Sequence, residues 1–178
     1  MAAAGGGLHV FGMTSTQETY RARHGALKKL AGFGLSGIEV RLAELYPAVE
    51  MAWADGVLEA AEHDELNRHA EELTRLLNAE LGAPLFTPRR ARRVLGRMLS
   101  QRLDPRARAE TLAAVTLLLG GGSYGALVLS RMMRRAVAVG AASGRLFQPA
   151  EALWLSKVRG AVAARDGEAQ SAGAGVES

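Results

Sequence analysis

Apolar residues recur every three or four positions along most of the chain, the period of a helix with one buried face. Leu66, Ala70, Leu73 and Leu77 form such a stripe over 60–81, and Asp64, Glu65, Glu71 and Glu72 lie largely off it. Ile38, Leu42, Leu45, Val49 and Ala52 with Trp53 form a second stripe over 38–54. Pro47 falls inside that segment and implies a kink or a later true start. Val94, Leu95, Met98 and Leu99, with Ala91, make the apolar side of a further helix.

Capping residues punctuate the pattern. Ser15 and Glu18 fit a capping box for a helix over 16–33, and Gly32, Gly34 and Gly37 mark its end. Asp55-Gly56 stops the second helix. Glu59 and Glu62 put negative charge at the start of the third, where the helix dipole favours it. Thr87 before Pro88 opens a helix ending near Gln101, and Asp104 before Pro105 repeats that start for one ending at Gly120–Gly122. Ser123 caps a helix over 124–142, and Pro149 opens a last one ending near Ala164. These elements predict an all-α, compact single-domain bundle of about seven helices. Residues 1–13 read as a disordered leader, 14–37 as an N-terminal helix, 38–164 as the main helical domain and 165–178 as a disordered tail. Met13 offers an alternative start of translation.

Two turns look alike. Residues 52–62 read AWADGVLEAAE and residues 141–151 read AASGRLFQPAE. Each has a helix ending in a small residue, then Asp or Ser with Gly, one residue, Leu, and a Glu opening the next helix. The step from Leu to Glu is four residues in the first and five in the second. This implies a pseudo-repeated helix–turn–helix unit.

Composition narrows the chemistry. Of 178 residues, 48% are hydrophobic but only 5% aromatic, so the core rests on Leu, Val, Met and Ala, which suits close-packed helices. No cysteine is present, which excludes disulfides, thiolate-bound metal and a thiol nucleophile. The net charge of +4 hides an asymmetry: residues 49–87 carry two basic and nine acidic side chains, and residues 88–110 carry eight and two. Residues 111–130 are uncharged and long enough to span a bilayer, but the glycines at 120–122 split them into two pieces that read as buried helices. With no signal peptide pattern, the cytoplasm is the expected location.

The segment PAVEMAWADGVLEAAEHDEL resembles the ADG-x-hydrophobic-x-x-x-E signature of the tellurite-resistance TerB-like family, through Ala54, Asp55, Gly56, Leu58 and Glu62. The segment ASGRLFQPAE resembles a degraded second copy, with Ser143 where the family has Asp. The resemblance implies an all-α bundle, a role in tellurite or other chemical stress, protein partners and a place at the inner membrane surface. It also implies an acidic metal site, carried here by Asp55 and Glu62. Read from the residues alone, the turn has two explanations. Gly56 and Asp55 can build a structural turn with Glu62 at the next helix start. Alternatively, Asp55, Glu59 and Glu62 can make a weak divalent-cation site for calcium or magnesium, although their spacing matches no standard loop.

Other chemistry is sparse. His63 and His69 are not spaced like HExxH, although Glu59/His63 and Glu65/His69 are i,i+4 pairs. They read as exposed or half-buried helix histidines. GGGSYG at 120–125 lacks the phosphate-loop pattern, and no G-x-S-x-G elbow is present. The basic block is the strongest functional lead. Arg89, Arg93 and Arg97 lie at i,i+4 spacing, with Arg90 and Arg92 beside them and Arg102 just beyond. Such a face can bind lipid headgroups or nucleic-acid phosphates, or pair with the acidic face of the preceding helix. The patch has no aromatic residue for stacking on bases, which makes nucleic acid the weaker partner. Two function classes follow: a non-catalytic TerB-like interaction protein with protein partners or self-association, and a peripheral anion-binding protein using the arginine helix on a membrane surface or nucleic acid.

Overall fold

The computed structural model describes residues 11–121 and 124–142, with the single positions 144 and 156. These residues form helices α1 (Phe11–Ala31), α2 (Tyr46–Ala52), α3 (Ala60–Leu81), α4 (Pro88–Ser100), α5 (Pro105–Leu119) and α6 (Gly125–Ala142). A 3₁₀ helix, Gly37–Leu45, runs directly into α2. Among the described residues there is no strand, so the protein is all-α. The helix predicted over 149–164 and most of the second motif lie outside the described residues.

The third helix has the predicted bounds. Its stripe of Leu66, Ala70, Leu73 and Leu77 is buried, and Gly82 ends it in the left-handed conformation at φ +63°. Thr87 caps α4 by accepting from Arg90 N at 3.2 Å. Asp104 caps α5 by accepting from the N–H groups of Arg106 and Ala107 at 2.9 and 2.8 Å. Between α3 and α4, the Asn78 side chain bonds both the N–H and the C=O of Phe86 at 2.8 Å, which holds that ring in the core.

Two predicted elements differ. The first helix begins at Phe11 rather than Thr16, so position 15 lies inside it rather than at its start. The segment predicted as one helix over 38–54 is a 3₁₀ helix followed by a separate α-helix. Pro47 is the reason: it has no N–H, and its ring crowds the carbonyl four residues back. The junction tightens instead, with Tyr46 N–H bonded to Ala43 O.

The 3₁₀–α2 segment is the centre of the molecule. Every residue from Leu42 to Ala52 is buried, beyond the single stripe expected from periodicity. α6 makes the most extensive contact with α2, and α3, α4 and α5 also touch it. Ala136 on α6 packs against Met51, and Gly140, one turn further along α6, is also buried. Outside this centre, α1 packs on α5 and α3 on α4. Among the described residues no helix is long and apolar enough to cross a membrane. The uncharged 111–130 stretch is divided between the end of α5 and the start of α6.

Candidate functional site

At the first motif, Gly56 adopts φ +89° after α2, a conformation that favours glycine. Asp55 Oδ1 accepts from Val57 N at 2.9 Å, closing the turn on itself. Glu59 and Glu62 form a reciprocal capping box at the start of α3, with Glu62 Oε2 accepting from Glu59 N at 2.9 Å. All three acidic candidates are therefore engaged with backbone N–H groups. Among the described residues, no group of three or more histidine, aspartate or glutamate side chains is arranged to hold a metal ion. The structure thus brings Glu59 and Glu62 together as helix caps, with Asp55 in the turn before them.

Gly144, the glycine of the second motif, also has a positive φ, +69°. Its N–H bonds Ala141 O at 3.1 Å, just as Gly56 N bonds Trp53 O at 3.0 Å.

The arginine helix is largely paired within the chain. Arg90 Nε donates to Glu39 Oε1 at 2.7 Å, and Arg97 reaches the other oxygen of Glu39 at 3.5 Å. Arg92 pairs with Glu71 of α3. Arg102 lies over the Trp53 ring, 4.2 Å from its centroid, and donates to Gly56 O at 3.4 Å. Arg89 and Arg93, both exposed, have no ion-pair partner among the described residues. The acidic and basic blocks therefore meet in part across α3 and α4.

The histidines also separate. His63 is exposed and approaches Asn67 at 3.3 Å. His69 is buried, which departs from the exposed or half-buried reading, and stands 3.0 Å from Glu65 and 3.3 Å from Glu72. Burial holds its pKa below the ordinary value, against the pull of those two carboxylates.

Two polar clusters escaped the sequence reading. In the first, Glu44 is fully buried and bonds Arg131 Nη2 at 3.2 and 3.3 Å and Arg135 Nη1 at 3.2 Å. Arg41 stands 3.6 Å from Glu44 and donates to Glu80 at 2.8 Å, and Arg131 donates to Glu80 at 2.9 Å. Partial burial pushes the Glu80 pKa up, but the bonds and charges of Arg131 and Arg41 hold it below the usual carboxylate range. In the second cluster, Glu50 on α2 is buried 3.4 Å from Arg108 Nε. Burial raises its pKa, while the Tyr46 hydroxyl and Arg108 pull it down without prevailing. The Tyr46 hydroxyl is also pushed up, first by burial and then by the nearby Glu50 charge. The signal for both clusters was present: each glutamate interrupts a run that is otherwise apolar, and Arg131 and Arg135 share a helix face.

Beside the first cluster opens a groove of about 650 Å³ between the ends of α3 and α5 and the start of α6. Leu81, Leu118, Leu119 and Leu127 form its apolar wall, and Arg41, Glu80 and Arg131 its polar end. Leu81, Tyr124 and Leu127 are 42%, 75% and 51% exposed, so apolar surface faces outward here.

The fold and these sites define an all-α helical bundle. In comparisons with known proteins, no protein-family model, no curated protein and no solved structure matches the chain.

Proposed function

We propose that the chain is a non-catalytic helical interaction protein of the TerB-like kind, acting in a chemical-stress response. The turn at 54–62 carries this reading. Asp55, Gly56 and Glu62, the chemically distinctive residues of the signature, all fix the junction between two helices: a closed turn, a left-handed glycine and a helix cap. The parallel conformations of Gly56 and Gly144 support the reading of two related helix–turn–helix units. Bacterial growth under tellurite tests the proposal. A sensitive host expressing the chain should tolerate more tellurite than the empty host, and Gly56→Val should remove the gain. Equal growth of the two hosts would reject it.

A second reading, peripheral anion binding, is favoured by one observation: Arg89 and Arg93 project from α4 one turn apart without an ion-pair partner among the described residues. Co-sedimentation with phosphatidylglycerol vesicles and gel shift with duplex DNA at low salt test it. R89E/R93E should abolish binding. No binding by the unaltered chain at low salt rejects this reading.

A further inference from the structure

Exposed apolar side chains gather at one end of the bundle. Leu81 at the end of α3 and Tyr124 and Leu127 at the start of α6 line one groove, together with Leu118 and Leu119 of α5. Leu85 lies in the loop that follows α3 and is 48% exposed. Its neighbour Phe86 is buried and tied to Asn78 of α3 by two 2.8 Å hydrogen bonds, which keeps this loop against the end of α3. Four of the seven large hydrophobic side chains exposed among the described residues are therefore at this end. Single scattered exposures are ordinary on a protein surface, whereas a cluster marks a contact surface.

The same end carries unanswered positive charge, and its source is α4 rather than the groove. Arg41 and Arg131, which line the groove, are balanced by Glu44 and Glu80. Arg90 and Arg97 share Glu39, and Arg92 meets Glu71. Arg89 and Arg93 are left: exposed, one turn apart, and without an ion-pair partner among the described residues. Arg89 stands in the first turn of α4, four residues beyond Leu85, a reach of at most about 14 Å.

We propose that this end of the bundle docks on an anionic lipid bilayer. Leu85, Tyr124 and Leu127 enter the boundary between headgroups and acyl chains, where a tyrosine keeps its ring in the apolar layer and its hydroxyl wet. Arg89 and Arg93 meet lipid phosphates. The inference rests on the anion-binding reading of α4 and names its partner. Duplex DNA would answer the two arginines but leave the exposed leucines in water. A second copy would bring two more unpaired arginines to the contact, and Glu80, which stands at this end, is already held by Arg41 and Arg131. A bilayer satisfies the charge and the apolar surface together.

The chain has no cysteine, so a single introduced thiol reports on one place. Full chains carrying Tyr124→Cys or Val57→Cys, each labelled with nitrobenzoxadiazole, are mixed with vesicles of phosphatidylglycerol or of phosphatidylcholine. Val57 is the control: it is exposed in the turn before α3, and the length of that helix, about 33 Å, separates it from Leu81. The label at 124 should brighten and shift to the blue with phosphatidylglycerol and not with phosphatidylcholine, and the label at 57 should not change. In co-sedimentation, R89Q/R93Q should weaken binding about thirtyfold. Leu85→Gln with Leu127→Gln, which changes no charge, should weaken it about tenfold while circular dichroism shows the helical melt retained. Binding without a change at 124, or with equal changes at both labels, would overturn docking by this end and leave the anion-binding reading standing. Undiminished binding of the folded double-glutamine chain would do the same. Undiminished binding of R89Q/R93Q would overturn both readings. A gel shift of DNA without vesicle binding would overturn the bilayer as the partner, and failure to bind either would overturn both readings.

Discussion

Glu44 Oε2 accepts a 3.2 Å hydrogen bond from Arg135 Nη1, joining the central 3₁₀ helix to α6 inside the protein. Arg131, one turn earlier on α6, bonds the same carboxylate. A carboxylate with no exposed surface is tolerable only when its charge is answered this closely. Glu44→Gln removes the charge and leaves two largely buried guanidiniums facing a neutral amide. The expected loss is about 3–5 kcal/mol in urea denaturation. Replacing the group together, as Glu44→Leu with Arg131→Met and Arg135→Met, should recover most of it. A triple variant no more stable than Glu44→Gln would show that the cluster specifies the packing of α6 as well as balancing charge.

Glu50 should act in the opposite sense. Burial is the main cause of its raised pKa, and the partial compensation by Tyr46 and Arg108 does not cancel it. The unfolded chain releases this proton near the ordinary value of 4.5, while the folded chain holds it to higher pH. Its contribution to stability is therefore fully present below 4.5 and is lost as pH rises through the folded value. Glu50→Gln mimics the protonated form. The variant should gain on the unaltered chain as pH rises from about 4 to about 8, read as the difference in urea midpoint at each pH. A difference that stays flat across that range would show that Arg108 fully answers the charge.

The contrast between these two glutamates shows what the sequence made legible. Where a boundary depends on neighbours in sequence, the reading succeeded: Gly82 ends α3, and Thr87-Pro88 and Asp104-Pro105 open α4 and α5. Pro47 was visible as a disturbance, but its outcome depended on whether the preceding turn could tighten to a 3₁₀ form. The partners of charged residues were not legible. Glu39 meets Arg90, Glu71 meets Arg92 and Glu44 meets Arg135, pairs whose members stand 51, 21 and 91 positions apart in the chain. Only the packing of the helices brings them together. For the same reason, no local motif announces the groove: Leu81, Leu118 and Leu127 each sit at the end of a different helix, unremarkable until the three ends meet.

At the first motif the bonding of Asp55 sets its own expectation. Its carboxylate closes a two-residue loop onto Val57 N–H in an exposed turn. Asp55→Ala should lower stability by about 0.5–1.5 kcal/mol, the worth of one net hydrogen bond. Because the bond is to backbone, the loss should be the same in a chelator and in millimolar calcium or magnesium. A melting temperature of the unaltered chain that rises with either cation, and no longer rises in Asp55→Ala, would instead place an ion at this turn.

Gly34 and Gly37 allow the contact of α4 with the end of α1 to be measured by difference. Both have positive φ, +70° and +53°, so an L side chain at either is strained by about 1–2 kcal/mol. They differ in their surroundings. A Cβ at Gly37 meets nothing within 4 Å, whereas one at Gly34 would lie 3.0 Å from Arg97 Nη1 and 3.2 Å from its Cζ. Arg97 rests on that glycine as it reaches Glu39. Gly34→Ala must therefore carry the backbone strain and also displace the guanidinium, so it should destabilise the protein more than Gly37→Ala. The extra loss should be a few tenths of a kcal/mol to about 1 kcal/mol, since the displaced group is the end of a flexible, partly exposed side chain. In an Arg97→Ala background the two substitutions should become equal, which a double-mutant cycle measures directly. A difference that persists without Arg97 would mean that the Gly34 turn itself, and not its contact with α4, sets the cost.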